Sequence, residues 1–190
     1  MSGNGKLNMV GLCGSLRAGS FNHALLRALP DLAPERMAIA EAPPIGTIPL
    51  YNADVQNQSG FPAEVMALAE AIRAADGVII ASPEYNYSVP GVLKNVLDWV
   101  SRVKDQPFRA KPVCLQSVSG GQLGGARMQY HLRQIMVFLG ADVFTTPEVF
   151  VGGAQQKFDA ETLALTDEGT RDFVTRQLKA FADYVDRVSG

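Results

Sequence analysis

The sequence is short of the residues that build metal centres and disulfide frameworks. Its 190 residues include two cysteines, Cys13 and Cys114, and two histidines, His23 and His131. Two cysteines cannot form a disulfide scaffold or complete a cysteine-rich zinc site, and each histidine sits in a helical pattern without a second ligand at suitable spacing. No metal site is expected. An excess of charge is also missing: 17 Lys and Arg against 19 Asp and Glu leave a net −2 with no long basic run. Sequence-independent nucleic-acid binding needs a basic footprint, so it is excluded as an expectation. No apolar stretch approaches the roughly 18–20 residues of a membrane span. Met1–Lys6 shows no charged segment leading into an apolar one, so the expected location is cytoplasmic. With 47% hydrophobic and 19% charged residues, the chain is neither a disordered polyelectrolyte nor a coiled coil. A single domain over residues 1–190 is expected, long enough to bury a sizeable core without staples.

What is present alternates between strand-like and helical patterns. Leu7–Cys13 reads as a buried strand, followed by a helix over Phe21–Leu29 closed by Pro30 and Pro34. Arg36–Ala40 is a short strand candidate. Ala42–Asn57, broken by Pro43, Pro44 and Pro49, reads as an irregular loop. An amphipathic helix over Phe61–Ala74 carries Phe61, Val65, Leu68 and Ile72 on one stripe. Gly77–Ser82 (GVIIAS) is unbroken apolar sequence, as suits a central parallel strand covered on both faces. Pro90 opens a helix buried through Val92, Leu93, Val96, Leu97 and Val100. Pro112–Val118 is the next strand. A glycine-rich turn, Gly120–Gly125, leads to a helix ending near Leu139, with Met128, Leu132, Ile135, Met136 and Leu139 inward. Ala141–Thr145 is a fifth strand candidate, resumed at Val149–Val151. A last helix over Asp167–Val188 buries Val174, Leu178, Phe181, Val185 and Val188. Five strands alternating with helices predict an α/β three-layer sandwich, flavodoxin-like, with a five-stranded parallel sheet of order 2-1-3-4-5. Ligands of such sheets sit beyond the carboxyl ends of strands 1 and 3, which directs attention to the loops after Cys13, Ser82 and Val118.

The first of these loops, Gly14-Ser15-Leu16-Arg17-Ala18-Gly19-Ser20-Phe21-Asn22, joins a buried strand to a helix N-terminus. Free backbone N–H groups and the helix dipole attract an anion there. Ser15, Ser20, Asn22 and Arg17 add hydroxyls, an amide and a fixed positive charge suited to a terminal phosphate. The plain alternative is a capped turn with Ser20 as N-cap. Gly14 to Gly19 has the interval of a P-loop but no lysine follows, and no G-x-G-x-x-G is present. Arg17 is too close to Cys13 for a C-x5-R phosphatase loop, so Cys13 and Cys114 both read as core residues.

The second loop, Ser82-Pro83-Glu84-Tyr85-Asn86-Tyr87-Ser88-Val89-Pro90, is polar, aromatic and stiffened by its prolines. It offers a platform for a flat heterocycle, or its tyrosines pack over the following helix. In the third, Gly120, Gly121, Gly124 and Gly125 permit close backbone approach to a ligand or form a flexible turn.

GSLRAGSFN followed by SPEYNYSVPGVLKNVLDW resembles the NADPH-dependent FMN reductase family, and within it the bacterial quinone and chromate reductases. The likeness extends through SGGQLGGARMQYHLRQI and covers nearly the whole chain. It implies bound FMN, with Ser15, Arg17, Ser20, Phe21 and Asn22 at its phosphate. Pro83, Glu84, Tyr85, Asn86 and Tyr87 would lie along its ring, and Ser119 and Gly120 on the other side. It further implies NADPH or NADH as a transient co-substrate and a small-molecule electron acceptor: quinones, with chromate or azo compounds. Tyr87 and Tyr130 would be acceptor-side groups or packing residues. A homodimer or homotetramer is implied, with the helix at Val92–Arg102, which carries Trp99, and the helix at Arg127–Leu139 as contacts and Arg127, Tyr130 and Glu148 as a polar inter-subunit network. A non-catalytic flavodoxin-type electron carrier is the alternative, and a module that has lost its flavin a third. Preference for NADH or NADPH is not written in the sequence, because the ribose-reading acid belongs to dinucleotide folds.

Overall fold

A computed structural model describes residues 5–189; the first part of the Met1–Lys6 segment lies outside them. The strands β1 (Leu7–Cys13), β2 (Met37–Glu41), β3 (Gly77–Ala81) and β4 (Pro112–Val118) are joined by β5 (Asp142–Val143) and β6 (Val149–Val151). All pairings are parallel, in the order β2-β1-β3-β4-β5, with β6 also on β4. β5 pairs with the start of β4, Pro112 opposite Asp142, and β6 with its end, Val118 opposite Val151. The fifth position of the sheet is therefore shared by two short strands around a break at residues 144–148, which holds a cis Thr146–Pro147 bond. The resumption at Val149–Val151 is as the sequence predicts.

The helices are α1 (Phe21–Leu32), α2 (Ala53–Ser59), α3 (Ala63–Ala74), α4 (Gly91–Val100), α5 (Ala126–Phe138) and α6 (Glu168–Ser189). Helices α3, α4 and α5 cover one face of the sheet, packing Val65, Leu68, Leu93, Val96, Met128 and Leu132 against Val78 and Ile80. Helices α1 and α6 cover the other, packing Leu25, Leu29, Val174, Leu178 and Phe181 against Ile79 and Ala81. The alternation of β3 residues between the two clusters follows from the period of two along a strand. Every residue of β3 and β4 is buried, as the apolar runs predict.

Four details differ from the sequence reading. Pro30 does not end α1: the helix runs on to Leu32, since burial of Leu29 and Leu32 outweighs one absent N–H in the last turn. The segment 42–57 is not wholly irregular, because α2 forms within it, capped by the Asn52 carboxamide, which accepts from the Asp54 N–H at 2.9 Å. Val188 is exposed rather than buried. Ile135 and Val92, both expected inward, are only partly buried.

Two buried glutamines repair the break in the fifth strand. Gln177 donates to the Pro147 carbonyl at 2.8 Å, and Gln129 donates to the Val149 carbonyl and the Ser117 hydroxyl, each at 2.8 Å. The Gln177 bond satisfies a carbonyl inside the break, and the Gln129 bond adds to the ladder where β6 resumes.

Candidate functional site

The first loop turns directly from β1 into α1. Ser20 is buried and caps the helix, its hydroxyl accepting from the His23 N–H at 3.3 Å. The N–H groups of Phe21 and Asn22 make no hydrogen bond among the described residues and face the loop. Ser15 accepts from the Arg17 N–H at 3.3 Å. Arg17 is exposed and forms no ion pair among the described residues, with its guanidinium lying back over Gly19. A helix N-terminus with two free donors and one uncommitted cation is built to take an anion. Asn22 is placed differently from the sequence reading. It is buried, and its carboxamide donates to the Val118 carbonyl at 2.9 Å and accepts from the Val118 N–H at 2.8 Å. Its side chain ties the first loop to the end of β4 rather than projecting a free donor.

The second loop is a two-residue hairpin. Tyr85 and Ser88 exchange both backbone hydrogen bonds at 3.0 Å, and Asn86 and Tyr87 between them have φ of 49° and 68°. Two consecutive positive φ values are the signature of a type I′ turn, which asparagine tolerates and tyrosine resists. Tyr87 is held there from outside. The Arg127 guanidinium lies 3.5 Å from its ring centroid. Glu84, with its side chain 8% exposed, binds Arg127 through Nε at 2.6 Å and Nη2 at 2.5 Å. Glu84 also accepts from the Met128 N–H at 3.3 Å, in the first turn of α5, where the helix dipole favours a carboxylate. The Arg127–Glu84 hydrogen bond, with the charge of that carboxylate, keeps the Arg127 guanidinium more firmly protonated than usual.

In the third loop, Ser119 accepts from the Gly121 N–H at 3.1 Å. Its glycines divide by role. A Cβ on Gly124 would lie 2.7 Å from the Phe150 carbonyl carbon, and one on Gly125 2.8 Å from the Ser117 Cβ. Gly124 serves a contact within the protein, so the reading of all four as approach points for a ligand is corrected there, whereas Gly125 packs on Ser117 and also borders the cleft lined by Asn86 and Tyr87. Gly121 meets only the Ser119 hydroxyl, at 3.6 Å, and borders the cleft.

Ser15, Arg17, Ser20, Phe21, Asn22, Pro83, Glu84, Tyr85, Ser119 and Gly120 line one cleft of about 200 Å³ beyond the carboxyl ends of β1, β3 and β4. Asn86 and Tyr87 line an adjoining one of about 410 Å³ that shares Glu84 and Ser119. All twelve expected residues are thus gathered at the switch point of the sheet. The sequence reading missed Gln155, which enters the first cleft from beyond β6, and Arg127 as a wall of the second. Nothing local in the sequence marks either, since each arrives from far along the chain.

Other readings are revised. Trp99 is fully buried, donating to the Pro49 carbonyl at 2.8 Å, so its side chain belongs to the core of the chain. Within one chain Arg127 pairs with Glu84, while Glu148 accepts from Tyr130 at 3.1 Å and Arg133 at 3.1 Å. Cys114 is fully buried and Cys13 partly so, and burial pushes both thiols up; Cys114 is a core residue, while Cys13 packs at the edge of the core. Among the described residues no cluster of three His, Cys, Asp or Glu is placed to hold a metal, and no helix is long and apolar enough to cross a membrane.

The strand order and the cleft at its switch point define the flavodoxin-like class of α/β folds. The chain belongs to the NADPH-dependent FMN reductase family, whose sequence model matches residues 7–156. It is 56% identical over 183 residues to a quinone reductase of Escherichia coli (strain K12), covering 96% of this chain and 97% of that one. It is 46% identical over 184 residues to an NAD(P)H-dependent FMN reductase of Pseudomonas aeruginosa, covering 97% and 98%. Among solved structures it superposes on the flavoenzyme NAD(P)H:(acceptor) oxidoreductase FerB from Paracoccus denitrificans with a TM-score of 0.84 and 31% identity, over 95% of this chain and 98% of that one.

Proposed function

We propose that the protein is an FMN-dependent oxidoreductase passing two electrons from NAD(P)H to quinones, with chromate and azo compounds as further acceptors. The observation that carries this reading is the convergence of three loops, after β1, β3 and β4, on one cleft at the carboxyl edge of the sheet. The donor set fits FMN. The free N–H groups of Phe21 and Asn22, with Arg17 and Ser15, match a terminal phosphate. The stiff hairpin at Tyr85–Ser88 and the Ser119–Gly120 turn offer two walls to a flat ring. When bound, FMN supplies the redox chemistry, accepting hydride from NAD(P)H and returning two electrons to the acceptor by a ping-pong scheme.

The protein's own groups bind and orient. Arg17 and the start of α1 hold the phosphate. Glu84 fixes Arg127, and Arg127 fixes the Tyr87 ring at the open side of the second cleft. Tyr87 and Tyr130, both exposed, stand on the acceptor side, and solvent or a tyrosine hydroxyl supplies the proton. The cytoplasm is the proposed location, and a homodimer or homotetramer the proposed assembly. The purified protein is tested for absorption near ~450 nm and then for NADPH oxidation that accelerates when a benzoquinone is added. Failure to retain or load FMN sinks the reading. Retained FMN without quinone-stimulated oxidation turns it toward an electron carrier.

A further inference from the structure

The break in the fifth strand lets a fourth loop reach the cleft. β5 ends beside Val113, near the start of β4. β6 resumes beside Gln116, Ser117 and Val118 and so delivers the chain past the carboxyl edge of the sheet. There the chain is bolted to the third loop. The Ser119 N–H donates to the Val151 carbonyl at 2.9 Å, and the Ala154 N–H donates to the Ser119 carbonyl at 3.1 Å. Ala154 is fully buried and opens a short 3₁₀ turn, Ala154–Gln156. Phe158, also buried, packs on Phe21 at the start of α1 with ring centroids 5.2 Å apart. The segment is therefore held by Ser119 on one side and by the first residue of α1 on the other.

Gln155 stands between these two anchors, and its side chain enters the cleft of about 200 Å³. Its carboxamide lies over Gly120, where a Cβ would come within 2.7 Å of Nε2 and 3.2 Å of Oε1. The side chain is exposed, and neither polar atom makes a hydrogen bond among the described residues. A carboxamide both donates and accepts. The phosphate end of the cleft needs donors alone, and the start of α1 with Arg17 and Ser15 supplies them. The ring end continues into the adjoining cleft of Asn86 and Tyr87, which Gln155 does not line. The part of FMN between phosphate and ring is the ribityl chain, whose hydroxyls donate and accept as a carboxamide does.

We propose, resting on the reading that the chain binds FMN, that Gln155 is a further cofactor ligand, its carboxamide exchanging hydrogen bonds with the ribityl hydroxyls. The site is then built from four loops, the last placed by the resumed strand β6.

The test uses the full chain freed of flavin and two ligands. One is FMN. The other is a flavin whose ribityl chain is replaced by an unsubstituted five-carbon chain ending in phosphate, which keeps the ring and the anion but lacks the hydroxyls. Kd values, read by flavin fluorescence, are compared among wild type, Gln155→Ala and Gln155→Met, the last filling similar space without the carboxamide. Both variants are expected to bind FMN about three- to tenfold more weakly than wild type, and all three proteins to bind the hydroxyl-free ligand alike. Urea unfolding of the three flavin-free proteins should coincide, because the side chain is exposed and unpaired. Equal loss for both ligands places the carboxamide on the ring or the phosphate. A loss in Gln155→Ala that Gln155→Met restores reduces it to packing, and unchanged FMN affinity removes it from the site. Each of these results overturns the proposal while leaving the flavin reading in place. Wild-type protein that does not bind FMN overturns that reading itself.

Discussion

Arg17 is one guanidinium in a chain of nearly balanced charge, and its leverage comes from having no partner in the protein. A cation already paired must break a contact to take a phosphate, whereas Arg17 forms no ion pair among the described residues. Arg17→Ala is expected to weaken FMN binding by about 1.5–3 kcal/mol, or tenfold and more in Kd, measured by flavin fluorescence. Unchanged affinity would place the phosphate elsewhere. The cysteines are residues of the opposite kind, held inert by burial. Because both thiols are pushed up from the ordinary thiol value, the reactive thiolate is rarer at every pH below their titration than in the unfolded chain. At pH 7.5 the native protein is expected to react with iodoacetamide far more slowly than the denatured chain. Rates rise with pH at Cys13 before Cys114, which mass spectrometry of the labelled peptides resolves.

Elements that bury a periodic stripe were legible in the sequence; elements held by distant polar groups were not. β3 announces itself as GVIIA, and α4 through Leu93, Val96, Leu97 and Val100, because burial imposes the strand and helix periods directly. α2 has no buried residue and depends on its Asn52 cap, so no stripe marks it. The twelve expected site residues were legible because they sit in three short loops whose strands order them at one edge. Their roles were less so. Glu84 and Arg127 meet across 43 positions, and Asn22 and Val118 across 96, distances at which no spacing rule operates. Asn22 is the clearest instance, a residue with the chemistry of an anion ligand spent on joining two elements. Asn22→Ala leaves the buried N–H and C=O of Val118 unpaired and is expected to cost about 2–4 kcal/mol in urea unfolding. A site displaced at Ser119 should weaken FMN binding at the same time. A loss below 1 kcal/mol would mean that water or a neighbour replaces the carboxamide.

At the scale of the whole molecule, a site assembled from three loops on one sheet couples ligand binding to the stability of the entire fold. FMN at about a hundredfold over its Kd should add about 2.7 kcal/mol, raising Tm by about 5–10 °C for a chain of this size, as differential scanning fluorimetry can read. No shift would mean that the cleft does not take FMN. The interrupted fifth strand has a consequence of another sort. The outermost strand of a sheet is a template on which a neighbouring chain can add its own strand, and long flat borders of this kind seed aggregation. Here that border consists of a two-residue piece and a three-residue piece separated by a proline-containing segment whose Phe144 and Pro147 carbonyls are occupied by Arg133 and Gln177. It leaves no stretch long enough for an incoming strand to register against. The same break denies an incoming chain a continuous template on this side of the sheet.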